Sequence, residues 1–282
     1  MDRTLFSPLM IETFKSCRKA YWLAFGTSAP ERHSAVSIVK GFLFRGLGEI
    51  NKGKITTQSQ IQKFMGQHWP LDRLNDQPGG RDSATRAFLN TYKVLAKYLA
   101  HPYRPAGAEL VSINTKIRSA VPGHKIYLED TFDMILWHPR DKRLELVIYY
   151  LKNDRQIDPL APDSSTLIRQ YLAQRLKMRY PYEKLTLTLF RVGLTENRRY
   201  AVNLDEQVFE RQFPDLVQTI ELMSSMDHAK ELSSESDLDR DQEHDCMYCS
   251  SIERHNRQDF KVSEAASMPH TGIAHGPVPL SA

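Results

Sequence analysis

Residues 109–152 read ELVSINTKIRSAVPGHKIYLEDTFDMILWHPRDKRLELVIYYLK, and this stretch decides the fold. Glu109 to Val121 alternates apolar and polar residues, and Pro122-Gly123 ends it. Ile126 to Trp137 is a second β-rich run, closed by His138-Pro139-Arg140-Asp141, and Leu144 to Lys152 is a third. Short turns of this kind join antiparallel neighbours, so the stretch predicts a three-stranded meander.

On its N-terminal side the spacing is helical. Ser7-Pro8 reads as an N-cap followed by proline at the first helical position, with Met10, Phe14, Cys17 and Tyr21 in register and Gly26 as the stop. Further helices are predicted from about Ser34 to Ile50, from Thr57 to Trp69 and from Asp82 to Ala100. On the C-terminal side a helix is expected from Ser164 to Arg179, ended by Pro181. Leu185, Leu187 and Leu189 mark a fourth strand, Arg199 to Asn203 a fifth, and Glu206 to Met226 a last helix. The class is α/β, with a helical N-terminal part.

The chain has 282 residues, 41% hydrophobic and 26% charged, enough for one large domain with an ample core. No apolar run approaches the length of a membrane span, the start lacks a secretion signal, and the cysteine count of three is odd. A cytoplasmic protein without membrane contact is expected. The net charge of +4 is uneven: from Asp227 onward there are five basic and eleven acidic residues, leaving 33 basic and 23 acidic before it. A basic body suits a polyanion such as DNA. The acidic, serine-rich stretch 227–245 reads as a solvated linker, and 259–282 as a disordered tail. Neither a phosphate-cradling glycine loop nor a GxSxG elbow occurs.

Cys246 and Cys249 form a CxxC, with His255 six positions on, and Cys17 is the third cysteine. Two sulfurs at that spacing can share a metal or cluster; a buried apolar cysteine and an exposed histidine are the plainer reading.

The opening helix, Leu5 through Cys17-Arg-Lys-Ala-Tyr21-Trp-Leu23, resembles that of RecB-like exonucleases in the PD-(D/E)XK nuclease superfamily. The resemblance extends over roughly residues 5–255 and is distant. It implies a mixed central sheet flanked by helices, in one domain over 1–258: a helical part at about 7–101, a sheet core at about 107–226, the linker, and a cysteine segment at 246–258. In the iron–sulfur branch, which includes AddB and the CRISPR-associated exonuclease, an N-terminal cysteine joins three near the C-terminus. Cys17, Cys246 and Cys249 match that set, with His255 in the fourth place, a set that suits an iron–sulfur cluster or zinc.

The resemblance also implies a catalytic group. Asp133 matches the metal-binding aspartate and Lys152 the lysine, while Tyr150 stands where a second carboxylate is usual. Glu109 is a candidate partner, with Glu129, Asp130 and Glu145 as acids that can have migrated. Arg45 replaces a histidine; Tyr171 matches a tyrosine whose companion glutamine is here Leu167; both are candidates for nucleic-acid contact. Cleavage would need Mg²⁺ or Mn²⁺ held by clustered carboxylates. The expected function is therefore DNA binding or processing, alone or as a subunit of a DNA-processing complex, with catalysis impaired. The alternatives are an active metal-dependent exonuclease with migrated acids, and a protein-interaction module.

Overall fold

The computed structural model describes residues 4–26, 35–75, 80–151 and 163–225. The expected linker, cysteine segment and tail lie outside them, as does Lys152. The described residues fall into two compact units. The smaller holds Thr13 to Gly26, and the larger holds Thr4 to Glu12 with the described residues from Ala35 to Ser225.

Among the described residues the sheet has six strands: β1 (Leu5–Phe6), β2 (Glu109–Ala120), β3 (Tyr127–His138), β4 (Arg143–Leu151), β5 (Lys184–Val192) and β6 (Arg198–Asn203). The meander is present: β2 and β4 both pair antiparallel with β3. β5 runs parallel to β4, and β6 returns antiparallel, so the sheet is mixed. A parallel pair needs a crossover, and α7 (Ser164–Ala173) supplies it. β4 is buried from Leu144 to Tyr149 because both of its faces are covered.

One face carries α3 (Ala35–Asn51), α4 (Gln58–His68) and α6 (Gly80–Ala100), whose Leu47, Ile61, Met65, Leu95 and Tyr98 pack with Met134, Val147, Tyr149 and Phe190 of the strands. Gly46 allows α3 to approach closely: a Cβ there would sit 2.9 Å from a Leu95 methyl. On the other face α7 packs against β3 and against α8 (Glu206–Ser225).

Four local features differ from expectation. β1 is only two residues long, too short for a period to show, and pairs parallel with Tyr127–Leu128. A short α5 (Leu71–Asn75) follows α4. The first helix is divided into α1 (Pro8–Ser16) and α2 (Arg18–Tyr21), ending in a π-turn at Trp22–Gly26. The bonds Cys17 N–H to Thr13 O (2.8 Å) and Tyr21 N–H to Cys17 O (3.1 Å) still run through the break. Finally, α7 stops at Ala173 and tightens into a 3₁₀ turn at Gln174–Leu176, short of Arg179. Arg175, Lys177, Met178 and Arg179 are exposed, so no burial of an apolar face holds that stretch helical.

Candidate functional site

β3 is shared by three neighbours, and this creates an opening. β2 covers one edge over its length; on the other edge β1 reaches Tyr127–Leu128 and β4 begins at Met134. Residues 129–133 lie in the fork between β1 and β4, without a ladder partner on that side among the described residues.

Asp133 stands at the inner end of the fork. Its Oδ2 accepts the Tyr149 N–H at 2.6 Å, one step beyond the last β3–β4 pair, Met134 with Val147. The carboxylate thus satisfies a strand N–H freed by the divergence. Burial pushes its pKa up to about 7; the Tyr149 N–H opposes that shift, the Asp130 charge adds to it, and Arg169 and Lys40 counter it.

Those neighbours complete the cluster. Asp130 Oδ2 accepts from Arg169 Nε at 2.8 Å, and its Oδ1 from the Thr131 N–H at 2.8 Å. Arg169 comes from α7, is 8% exposed, and keeps a buried Nη1 with no hydrogen-bond partner among the described residues. Lys40 comes from α3. Behind Asp133, the Tyr149 hydroxyl accepts from Asn51 Nδ2 at 2.6 Å and lies 3.1 Å from the Tyr98 hydroxyl, in a buried polar triad that holds β4 to α3 and α6. Asp130 and Arg169 are thus in contact at the fork, and Asp133 feels the charges of both and of Lys40.

The other expected residues lie elsewhere. Glu109 is exposed at the start of β2, opposite Trp137. Trp137 is four positions along the strand from Asp133, roughly 13 Å at about 3.3 Å per residue, so the structure does not bring Glu109 to the fork. Tyr150 is half-buried; burial raises its pKa, Tyr200 on β6 adds to the rise, and Arg191 on β5 and Arg198 on β6 counter it. Glu129 pairs with Lys116 at 2.8 Å. Arg45 is exposed on α3, 5.8 Å from the Phe64 ring centre. Tyr171 is engaged structurally: its hydroxyl donates to Ala120 O, and its ring stacks on Phe213 at 4.8 Å. Leu167 is core. Cys17 is half-buried, while Cys246, Cys249 and His255 lie outside the described residues.

Glu145, the third acid weighed for migration, is fully buried. It accepts from Tyr103 (2.5 Å), Thr188 (2.5 Å), Arg143 Nη1 (3.3 Å) and His138 Nε2 (2.7 Å). Arg143 Nη2 donates to His138 Nδ1 at 3.0 Å, and an arginine can only donate, so the ring proton toward Glu145 sits on Nε2. Burial alone would raise the Glu145 pKa; the bonds from Thr188, Tyr103 and His138 outweigh it and hold it below the usual value. This carboxylate has its lone pairs filled by protein donors, and its role is to tie β3, β4 and β5 together.

Sequence reasoning missed Arg169 and Lys40. For Arg169 a signal exists: it follows Ile168 inside the apolar run of a crossover helix, where burying a charge requires an acid.

Does the fork suit the divalent cation the resemblance implies? A Mg²⁺ site wants several carboxylate or carbonyl oxygens free of competing cations. Here Asp130 is already neutralised by Arg169, and Lys40 also acts on Asp133. Among the described residues no three His, Cys, Asp or Glu side chains come together as a metal set. The described residues of the fork do not fit that cation.

No protein-family model and no curated protein matches the chain. A solved structure described as "Crystal structure of SSO0001" aligns with 64% of this chain and 86% of its own, at 14% identity and a TM-score of 0.25.

Proposed function

We propose that the chain is a DNA-binding protein on a PD-(D/E)XK-like frame, with phosphodiester cleavage impaired or lost. One observation carries the second half of this reading. Among the described residues, the carboxylate whose charge acts on Asp133, that of Asp130, is bound by the Arg169 guanidinium, and the Lys40 ammonium adds a second positive charge, where metal-dependent cleavage would need further free carboxylates. The surplus of basic residues before Asp227 supports the first half, because phosphate contacts supply most non-specific affinity. The iron–sulfur cluster or zinc at Cys17, Cys246, Cys249 and His255, and a partner subunit, belong to the same proposal; iron, sulfide and zinc analysis of the purified protein tests the former.

The function is tested by fluorescence anisotropy with a labelled duplex and a labelled single strand, followed by incubation with Mg²⁺ or Mn²⁺. Binding that weakens steeply with salt, with the DNA left intact, is the expected result. Metal-dependent degradation that Asp133→Ala abolishes would instead establish an active exonuclease. No binding at low salt would leave the protein-interaction reading.

A further inference from the structure

At the end of β4 and β5 opposite the fork, two surface segments meet. The 139–142 turn is joined to the 174–184 segment by Glu183 N–H to Lys142 O (2.8 Å) and by the Lys142–Glu183 ion pair (2.6 Å), and Trp137 of β3 adds a ring contact with Tyr180 at 5.8 Å. Together they expose Arg140, Lys142, Arg175, Lys177, Arg179 and Lys184. Against these stand the acids Asp141 and Glu183, and Glu206, whose charge reaches Tyr182. Arg140 and Arg175 make no ion pair among the described residues.

The backbone beneath is held in shape. Lys177 N–H bonds Gln174 O, Arg179 and Tyr180 N–H both bond Leu176 O, and Tyr182 N–H bonds Tyr180 O. Lys177 and Arg179 each lie 5.5 Å from a ring centre, those of Tyr182 and Tyr180. These rings bear cations on their faces, which favours phosphate contact over base stacking. Met178, 99% exposed, projects between Lys177 and Arg179. One exposed methionine is too little apolar surface to embed in a bilayer, so charge decides the partner.

We propose that these cations form a phosphate-backbone contact for duplex nucleic acid, separate from the Asp133 fork. The inference rests on the DNA-binding reading above and adds a place to it. Arg143, paired with Lys184 at this end, is six residues from Tyr149, roughly 20 Å along the strand.

The test uses the full chain and a labelled 30-base-pair duplex, comparing wild type with the Arg175→Ala/Lys177→Ala/Arg179→Ala variant over a salt series. Loss of three phosphate contacts should weaken binding about 10-fold or more at low salt. It should also reduce the log–log salt slope by about 2 to 3, at about 0.9 per contact. The charge-retaining Arg175→Lys/Arg179→Lys variant should keep the slope, and matched circular dichroism would confirm folding of both. Wild-type binding with an unchanged slope in the triple variant overturns this contact while leaving the DNA-binding reading intact. Absence of wild-type binding overturns both. Binding to phosphatidylserine vesicles that the triple variant loses, with duplex binding retained, assigns the patch to a membrane surface and overturns it as well.

Discussion

Asp133 and Glu145 show how two carboxyls on adjacent strands acquire opposite pH behaviour. Asp133 has a raised pKa, about 7 against 3.8 unperturbed, so the folded chain holds its proton more tightly than the unfolded one. Its contribution is therefore most favourable below about pH 4 and is lost as pH rises toward 7. Asp133→Asn keeps an acceptor for the Tyr149 N–H but cannot ionise. Urea unfolding should show this variant gaining on wild type between pH 4.5 and 8, to roughly 1–3 kcal/mol at the upper end, below the full value of about 1.4 kcal/mol per pKa unit because Asp133 is partly exposed. A difference that does not change with pH would sink that assignment. Glu145 has a lowered pKa, so its contribution is complete above about pH 4.5 and fades as pH falls through the folded value. Glu145→Ala leaves Tyr103, Thr188, His138 and Arg143 without their acceptor and should cost about 3–5 kcal/mol at pH 7 in the same measurement. Asp133 was singled out in the sequence by its match to a metal-binding aspartate on a strand. Its environment was not, because Lys40 and Arg169 approach it from helices 93 positions before it and 36 after it, and spacing within a strand carries no trace of them.

Elements were legible wherever their own residues specify them. α4 begins where Thr57 and Gln60 form a capping box: the Gln60 N–H donates to Thr57 Oγ1 at 3.3 Å, and the Thr57 N–H to Gln60 Oε1 at 3.1 Å. Thr57→Ala should therefore cost about 1 kcal/mol, measured by chemical denaturation, and an unchanged midpoint would show the cap to be idle. The turn from β5 to β6 has a different constraint. A Cβ at Gly193 would lie 2.7 Å from the Glu196 carbonyl oxygen, a backbone atom that cannot rotate away. Gly193→Ala should lower stability by about 1–3 kcal/mol despite the stiffer unfolded chain, and a rise in melting temperature would contradict that geometry. What could not be read was set by pairing between distant segments: β1 exists because Tyr127 N–H reaches Thr4 O, and the fork exists because β1 and β4 share one edge of β3. The early end of α7 was partly visible, since charged residues dominate 175–179, but its helical spacing continues beyond the point where burial ends.

For the whole molecule, charge governs the proposed encounter with DNA. Residues before Asp227 carry 33 basic and 23 acidic side chains, while eight acids lie between Asp227 and Asp245 on the same chain. In that proposal a phosphate backbone meets an attractive body and a covalently attached negative stretch that repels it, and the affinity would reflect their sum. The repulsion acts through solvent, so it extends about 10 Å at 0.1 M salt and about 3 Å at 1 M. Replacing Asp237, Asp239 and Asp241 together by Asn removes three negative charges and leaves every described residue untouched. The expected result is a several-fold tighter duplex Kd at 50 mM salt, with the advantage shrinking toward nothing by about 0.5 M as screening removes it. A gain of equal size at all salt concentrations would mean that the aspartates act by short-range contact. No gain at any concentration would mean that the uneven charge distribution has no bearing on binding, and the basic body would lose its standing as an argument for DNA.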